Sequence, residues 1–281
     1  MQPKLIVTWL SYLTKQNHSA RMKNYVASLE SLAKLEDNES VEIVIVDNAE
    51  QDNSACAMFR DMYCRRSRIF KAKNEFFDIA AHYVALYVAQ QKKASHFLYS
   101  YDDFVFSDTE FVKDALEFMN AFDVDCLRVP AYESDNMSFF DSAKTPKSTN
   151  PDSVSHANGV LNQKINHIGP HVVGNHAFFT SNWRPNSRPT IWKTTSFETI
   201  IGHLQPCPTF QMFEKHMYDS SDQFVMEGNS WTSGFIDHGV CKTFPQHTSS
   251  RLIEGYGSKK ADPVVDLIRL NNMLAVTDNW T

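Results

Sequence analysis

The stretch that decides the fold is HFLYSYDDFVFSD, residues 96–108, in which an apolar run typical of a buried strand meets two adjacent carboxylates, Asp102 and Asp103. Charged side chains of this kind are rarely left in an apolar interior without a partner. We therefore expect the strand to end at this pair and the carboxylates to face a cleft.

Strand-like and helix-like patterns alternate around this stretch. Short apolar runs typical of buried strands occupy residues 4–10, 41–49, 68–72, 96–100 and 125–130, and apolar residues at helical spacing occupy 22–35, 54–63, 76–88 and 107–119. This order predicts a parallel sheet with right-handed crossovers, and ligands bind such sheets beyond the carboxyl ends of the strands. Asp47 follows the second strand at such an end, as Asp102 and Asp103 follow the fourth.

Two helix starts carry capping signals. Either Asn74 or Asp78 is placed to cap the helix at 76–88, because both side chains accept hydrogen bonds from backbone N–H groups. Ser107 and Glu110 have the spacing of a capping box, which predicts that the next helix opens there.

The second half of the chain has a different pattern of residues. Residues 133–166 are polar and too long for an ordinary connection, so they form either a functional loop or a partly disordered segment. A strand-like stretch at 171–183, a helix near 196–203 and a C-terminal helix near 264–274 follow. Since no linker separates two domains, we predict a single α/β domain with a mostly parallel, mixed sheet flanked by helices.

Composition excludes several classes of function. The 281 residues carry a net charge of −6, so the chain lacks the excess of positive charge that is typical of nucleic-acid-binding proteins. No apolar run reaches the ~18 residues of a transmembrane helix, and the N-terminus is typical of a core strand rather than a signal peptide. The five cysteines are scattered and lack a C-x-x-C pair, which argues against a disulfide framework and a cysteine zinc site. We expect a cytoplasmic protein.

The adjacent carboxylates Asp102 and Asp103 have two interpretations. Aspartate is common in solvated turns after strands, so the pair is one candidate for such a turn. Two neighbouring like charges repel, however, and a divalent cation relieves that repulsion while offering open positions to phosphate oxygens. We favour a metal site because the pair follows a buried strand and faces a cleft.

The order of these parts resembles the GT-A glycosyltransferases, most closely the large inverting family 2 that uses nucleotide-sugar donors. The resemblance covers about Lys4 to Arg251. It rests on LIVTWLSY, then EIVIVDNA, then KNEFFDIAAHYVALYVA running into HFLYSYDDF, then GNHAFFTSNW, and finally MYDSSDQF.

The resemblance implies a metal site at the second carboxylate. Asp103 would bind Mn²⁺ or Mg²⁺, and Asp102 would hydrogen-bond the ribose or sugar of the donor. Tyr101 stands where the family's Asp-x-Asp motif has its first acid, so this position departs from the pattern. In some GT-A enzymes a late histidine completes the metal shell, and we assign His247 to that role ahead of His238.

The resemblance also implies where the nucleotide binds. Thr8, Leu10 and Tyr12 occupy the nucleotide-binding turn after the first strand. Asp47 matches the acid that contacts the base, although an aspartate at this place is equally typical of a turn cap. Asn74 matches a position that approaches the nucleotide, and its alternative is the helix cap described above.

On the acceptor side, the family needs a general base that deprotonates the attacking hydroxyl, and it keeps this acid at the start of a helix bordering the cleft. SSDQF is the best match, so Asp222 is the predicted base and Glu214 the alternative. If Asp222 has no catalytic role, it is a surface acid in the first turn of a helix. Asn175, His176 and Trp183 would contact the acceptor.

Taken with the resemblance, these residues predict a metal-dependent, inverting glycosyltransferase of polysaccharide synthesis. It would move a sugar from a UDP- or GDP-sugar to a glycan or other hydroxyl acceptor. Residues 1–130 would form the nucleotide-sugar-binding half, 131–170 a flexible loop, and 171–281 the acceptor-binding half with the C-terminal helix.

Three other functions stay open. A catalytically silent nucleotide-sugar or glycan-binding module would have the same fold without the chemistry. A sugar nucleotidyltransferase carries a glycine-rich loop after its first strand, and residues 8–23 contain no glycine. A metal-dependent hydrolase ranks last because the histidines lack H-x-H or H-E-x-x-H spacing.

Overall fold

The structure is a computed structural model that describes residues 4–15, 17–49, 54–76, 78–102, 104–129, 131–132, 167–182, 189–202, 204–237, 240–243, 264–276 and 280. The chain folds as two compact units. The first comprises Met1–Phe106, Gln205–Phe213 and Thr243–Thr281, and the second comprises Ser107–Leu204 and Glu214–Lys242.

The elements of the described residues follow one another in this chain order: β1 Leu5–Ser11, α1 His18–Ala33, β2 Val41–Asp47, α2 Cys56–Tyr63, β3 Arg68–Lys71, α3 Ile79–Lys92, β4 His96–Tyr101, β5 Phe104–Phe106, α4 Phe111–Ala121, β6 Cys126–Arg128, β7 Ala131–Tyr132, β8 His167–Val173, β9 His176–Ser181, β10 Thr190–Lys193, α5 Thr194–Ile201, α6 Phe210–Met226, β11 Ser233–Ile236, β12 Cys241–Thr243 and α7 Leu267–Leu274. Two short 3₁₀ helices, Lys34–Asp37 and Asn74–Phe76, lie between these elements.

In the first unit, four strands are parallel and lie in the order β3-β2-β1-β4. The first strand of the chain, β1, is therefore flanked on both sides, and the registers Ser11↔Asp47 and Leu10↔Tyr101 align the carboxyl ends of three strands. A parallel sheet of this kind is covered on both faces, which explains why its strands are apolar at consecutive positions.

The alternation of side chains along β1 shows which helix covers each face. Thr8 points towards α3, where its hydroxyl donates to the carbonyl of Ala81 at 3.2 Å. On the opposite face, the indole of Trp9 donates to Ser28 of α1 at 2.9 Å, and the hydroxyls of Ser11 and Tyr25 share a hydrogen bond of 2.8 Å. Residues with odd numbers in β1 therefore face α1, and residues with even numbers face α3.

In the second unit, the strands lie in the order β10-β6-β11-β9-β8 and are of mixed direction. β6 is parallel to β11 and antiparallel to β10, and β9 is antiparallel to both β11 and β8. Phe118 of α4 stacks on Phe178 with ring centroids 4.6 Å apart. Gly234 of β11 lies next to the Phe118 ring, and a Cβ added to this glycine would lie 2.9 Å from that ring.

The predicted α/β class, with a mixed sheet flanked by helices, is confirmed. The division at residues 130 and 170 stays a prediction, and residues 133–166 lie outside the part of the chain that the structure describes. No helix among the described residues is both long enough and apolar enough to cross a membrane.

Two predicted helix starts are wrong in detail. The helix predicted from Ser107 begins at Phe111, and the turn before it is held by Asp108, whose carboxylate accepts from the backbone N–H of Glu110 at 2.8 Å, rather than by a capping box. The helix predicted from Phe76 begins at Ile79, after a 3₁₀ turn that starts at Asn74, and Asp78 occupies its N-cap position without a side-chain cap hydrogen bond.

Candidate functional site

The carboxyl ends of β1, β2 and β4 lie side by side in the first unit. The backbone N–H of Asp102 donates to the carbonyl of Leu10 at 3.0 Å, and that of Asn48 donates to the carbonyl of Ser11 at 2.9 Å. Tyr12, Asp47 and Asp102 therefore lie at the ends of three adjacent strands, at one edge of the sheet. We call this edge, with residues 12–15 and 17 of the loop after β1, the donor edge because the donor is predicted to bind there.

Asp102 is buried, with 5% of its surface exposed, and its carboxylate is engaged on both oxygens. Oδ1 forms an ion pair of 2.6 Å with Nη2 of Arg21, and Oδ2 accepts from the backbone N–H of Tyr12 at 2.9 Å. Tyr101 pairs with Leu10, so it points to the α3 face as the even-numbered residues of β1 do. Asp102, one residue later, therefore points to the α1 face. The predicted contact of Asp102 with the donor stays a prediction.

The loop after β1 is fixed by its own polar groups. The carbonyl of Tyr12 accepts from Nη1 of Arg21 and from the side-chain amide of Asn17 at 3.2 Å. Asn17 and Thr14 also exchange reciprocal bonds, since the N–H of Thr14 donates to Asn17 Oδ1 at 2.8 Å and the N–H of Asn17 donates to Thr14 Oγ1 at 3.2 Å. These bonds connect Tyr12 and Thr14 to the start of α1.

Asp47 lies at the end of β2 and is buried on the α1 face of the sheet. Its Oδ1 accepts from the backbone N–H of Ala49 at 3.1 Å, and its Oδ2 accepts from the hydroxyl of Ser54. Burial raises the pKa of Asp47, against the lowering effect of these two hydrogen bonds and of Lys71. The bonds match the turn-cap interpretation of Asp47, and its predicted contact with a nucleotide base stays a prediction.

The remaining nucleotide-binding candidates lie on the α3 side. The hydroxyl of Thr8 is buried and donates to backbone carbonyls of Ala81 and Leu98, at 3.2 Å and 3.5 Å. Leu10 is half-buried at the end of β1. Asn74 begins the 3₁₀ turn that leads into α3. Their contacts with a nucleotide stay predictions.

Tyr101, which replaces the first acid of the family motif, makes a contact of its own. Its hydroxyl donates to Oδ2 of Asp78 at 3.3 Å, so an acid from the start of α3 stands beside the tyrosine. The end of β4 is thereby tied to α3 through Tyr101 and to α1 through Asp102.

In the second unit, His176 is buried between two carboxylates. Its Nδ1 lies 2.8 Å from Oδ2 of Asp114 in α4, and its Nε2 lies 2.9 Å from Oδ2 of Asp108, whose side chain is 41% exposed. The His176 ring is thus held at both nitrogens, by α4 on one side and by the turn before α4 on the other. The backbone N–H of Asn175 also donates to Asp114 at 2.9 Å, while the Asn175 side chain is exposed.

The two candidate bases lie in one helix. α6 extends from Phe210 to Met226, so Glu214 lies in its second turn and Asp222 near its C-terminal end. The prediction that Asp222 lies at a helix start is therefore wrong, as is its alternative as an acid of a first helical turn. The side chains of both acids, together with Asp103, Trp183 and His247, lie outside the described residues.

The described residues do not assemble a metal site by themselves, because no group of three His, Cys, Asp or Glu side chains among them is placed to hold an ion. Asp102 is compensated by Arg21, which makes it a poor direct ligand for a cation. The predicted ligands Asp103 and His247 lie outside the described residues, so the metal site stays a prediction.

Arg21 and Asp114 were missed by the sequence interpretation, although both carry a signal. Arg21 lies four residues before Tyr25 on the stripe that continues through Leu29 and Leu32, which is the buried face of α1. Asp114 lies between Phe111 and Phe118 on the buried face of α4. A charged residue at such a position needs a buried partner of opposite charge or a set of hydrogen bonds.

Comparison with solved structures supports the architecture. Residues 1–349 of S. aureus TarS are 14% identical to this chain with a TM-score of 0.50, and the match covers 97% of this chain and 69% of the TarS chain. The chain has a GT-A fold. At this identity the likeness shows the fold alone.

Two further structures have lower TM-scores. TarS 1–349 in complex with UDP-GlcNAc is 16% identical, with a TM-score of 0.47 and coverage of 97% and 70%. The 4-diphosphocytidyl-2C-methyl-D-erythritol synthase of Anaerococcus prevotii is 10% identical, with a TM-score of 0.44 and coverage of 96% and 100%. No protein-family model and no curated protein matches the sequence.

Proposed function

We propose that this protein is a metal-dependent glycosyltransferase that moves a sugar from a nucleoside-diphosphate sugar to a glycan or another hydroxyl acceptor. One observation carries the proposal: the ends of three adjacent parallel strands place Tyr12, Asp47 and Asp102 at a single edge of the sheet, followed directly by Asp103 in the sequence. Ligands of open α/β sheets bind beyond such strand ends.

The residues would divide the chemistry as follows. Asp103, with His247, would hold Mn²⁺ or Mg²⁺, which supplies positive charge to the leaving diphosphate. Tyr12, Asp47 and Asp102 would bind the nucleotide part of the donor. An inverting transfer requires a base for the acceptor hydroxyl, and we assign Asp222 to this step with Glu214 as the alternative.

For the acceptor, Asn175 is better placed than His176. The Asn175 side chain is exposed, whereas the ring of His176 is buried and has both nitrogens bound to carboxylates. We therefore propose that His176 orients the turn that presents Asn175, with Trp183 as a further contact.

The cysteines favour a reducing compartment for this reaction. Cys56, Cys64 and Cys126 are free and buried, and Cys207 is free and exposed. We propose that the transfer takes place in the cytoplasm.

A thermal-shift series tests the donor site. Wild type and Asp103→Ala are melted with UDP, GDP, TDP and CMP, with and without Mn²⁺; UDP comes first because TarS 1–349 has been solved with it. A ligand at ~100 times its Kd stabilises by roughly 2.7 kcal/mol, which is a shift of a few degrees. We expect one nucleotide to stabilise the wild type only with metal, and Asp103→Ala not to respond.

The control variant is Asp61→Ala, which removes a carboxylate that is 69% exposed on α2. It is expected to respond to nucleotide as the wild type does. Asp102→Ala is unsuitable as a control because it leaves the buried Arg21 without its carboxylate. A wild type that responds to no nucleotide would contradict the proposed function.

A further inference from the structure

Arg21 is an unusual residue for the buried face of a helix. It lies in the first turns of α1 with 2% of its surface exposed. A guanidinium is always charged at physiological pH, so its burial is tolerated only when acceptors surround it. Its acceptors come from two different strand ends.

The planar fork of Arg21 connects these two strand ends. Nη2 binds Oδ1 of Asp102 at 2.6 Å, directly after β4, and Nη1 binds the carbonyl of Tyr12, directly after β1. A guanidinium makes both contacts at once because its donors are held in a rigid plane. A lysine ammonium is a single point that cannot reproduce this geometry.

Tyr12 is consequently held on both sides of its backbone. Its N–H donates to Oδ2 of Asp102 at 2.9 Å, and its carbonyl accepts from Arg21 and Asn17. Arg21, Asp102 and Tyr12 thus form a closed ring of hydrogen bonds. The loop after β1 cannot shift without breaking at least one bond to a buried charge.

We propose that Arg21 is a positioning residue of the donor edge, an inference that rests on the proposed function. It orders Tyr12 and Asp102 before the donor arrives, without belonging to the residues assigned to bind it. Preordering increases affinity because the loop then loses less conformational freedom on binding. Arg21 also holds the carboxylate of Asp102 within the protein, which leaves cation binding to Asp103.

The test uses Arg21→Lys, which keeps the positive charge beside Asp102 and loses the fork. Its matched control is Arg60→Lys in α2 of the same unit. Arg60 also binds one backbone carbonyl, that of Ser67 at 3.1 Å, and one carboxylate, that of Asp61 at 2.7 Å. Both substitutions affect a contact to a carbonyl and a contact to a carboxylate; Arg60, unlike Arg21, is partly exposed, and only Arg21 lies at the donor edge.

Two quantities are measured. Hydrogen exchange of the Tyr12 amide in the ligand-free protein reports the order of the loop, with the β1 amides as internal reference. Calorimetric titration with UDP and with GDP, each with Mn²⁺, reports the Kd. We expect Arg21→Lys to accelerate exchange at Tyr12 by about tenfold or more relative to the β1 reference amides, and to raise the nucleotide Kd by about tenfold. Arg60→Lys should leave both quantities unchanged.

Other results would overturn the inference. Unchanged exchange at Tyr12 in Arg21→Lys would show that Arg21 does not order the loop. Faster exchange with an unchanged Kd would show a purely structural role. If wild type binds neither nucleotide, the proposed function fails and the donor role with it, whereas the exchange measurement still decides whether Arg21 orders the loop.

Discussion

Asp47 illustrates how a single buried carboxylate can lower stability at neutral pH. Burial raises its pKa, so the folded protein binds the Asp47 proton more tightly than the unfolded chain does. Protonation of Asp47 therefore stabilises the folded state as the pH falls through the raised pKa towards 3.8. This stabilisation is lost as the pH rises through the same range. At neutral pH the ionised form is destabilising.

We expect Asp47→Asn to separate stability from nucleotide binding. The amide keeps an acceptor for the Ala49 N–H and removes the buried charge, so the free energy of unfolding at pH 7 should stay within about 1 kcal/mol of wild type. If Asp47 contacts the base, nucleotide affinity should fall about tenfold, since a charged acceptor is lost. Urea unfolding and calorimetric titration measure the two quantities.

Asp125→Asn is the matched control for this substitution. Asp125 lies in the second unit, and burial raises its pKa too. Its carboxylate likewise accepts from one serine hydroxyl, Ser196 at 2.6 Å, and one backbone N–H, that of Thr232 at 2.8 Å. Asp125→Asn should match Asp47→Asn in stability and leave nucleotide affinity unchanged. Equal affinity in both variants would argue against a role of Asp47 in binding.

Single residues also show what the sequence could and could not predict about the site. The positions of Asp47 and Asp102 at the carboxyl ends of two strands were predictable, because parallel strands present these ends on the same side of the sheet. The orientation of Asp102 towards α1 was not, since it depends on the register of β4 against β1 and on Arg21, 81 residues earlier. The register of strands that are distant in sequence is set by tertiary packing.

At the level of elements, the turn between β8 and β9 depends on Gly174. Its φ of +56° is in the left-handed region, and a Cβ at this position would lie 2.3 Å from the carboxylate oxygens of Asp114. Asp114 cannot move freely because it accepts from His176 and from the N–H of Asn175. The glycine is therefore required for two independent reasons.

We expect Gly174→Ala to lower the free energy of unfolding by about 3 kcal/mol, as the sum of left-handed strain and the displaced carboxylate. Gly228→Ala isolates the first effect, since Gly228 has a φ of +88° and a Cβ added there would meet no atom within 4 Å. It should cost only about 1–2 kcal/mol. Urea unfolding of both variants measures the difference, and equal costs would show that Asp114 adapts.

The elements of the first unit were easier to predict than α6. Runs such as Ile43–Val46 are apolar at consecutive positions and end at polar residues, which is a strong signal for a doubly covered strand. In α6 the buried residues include Phe213 and Met217 but also Ser220 and Ser221. Because small polar residues interrupt the apolar period, the continuous helix through Asp222 was not evident.

For the molecule as a whole, His82 contributes to the pH dependence of unfolding. It is fully buried in α3, where its Nδ1 donates to the carbonyl of Asp78 at 3.0 Å and its ring lies against Tyr99. Burial lowers its pKa from 6.5 to about 4. As the pH falls, His82 is protonated in the unfolded chain before it is protonated in the folded protein. The folded protein therefore loses stability as the pH falls from 6.5 towards 4.

We expect His82→Phe to flatten this part of the pH profile. The wild type should lose up to about 3 kcal/mol through His82 across this window, at ~1.4 kcal/mol per pH unit. The variant should lack that loss and be less stable by about 1 kcal/mol at neutral pH, because the hydrogen bond to the carbonyl of Asp78 is lost. Urea unfolding between pH 4 and pH 8 provides the measurement, and parallel profiles of the two proteins would refute the expectation.

The position of β1 between two partner strands has a consequence for synthesis of the chain on the ribosome. Leu5–Ser11 emerges before both of its partner strands, and one of its two hydrogen-bonded edges is completed only by His96–Tyr101. At about 5–20 residues per second, that edge waits roughly 5–20 s for its partner. During this time an apolar strand with unpaired N–H and C=O groups is open to pairing with a neighbouring nascent chain. Production of this protein should therefore benefit from a low expression level and from chaperones that shield Leu5–Ser11.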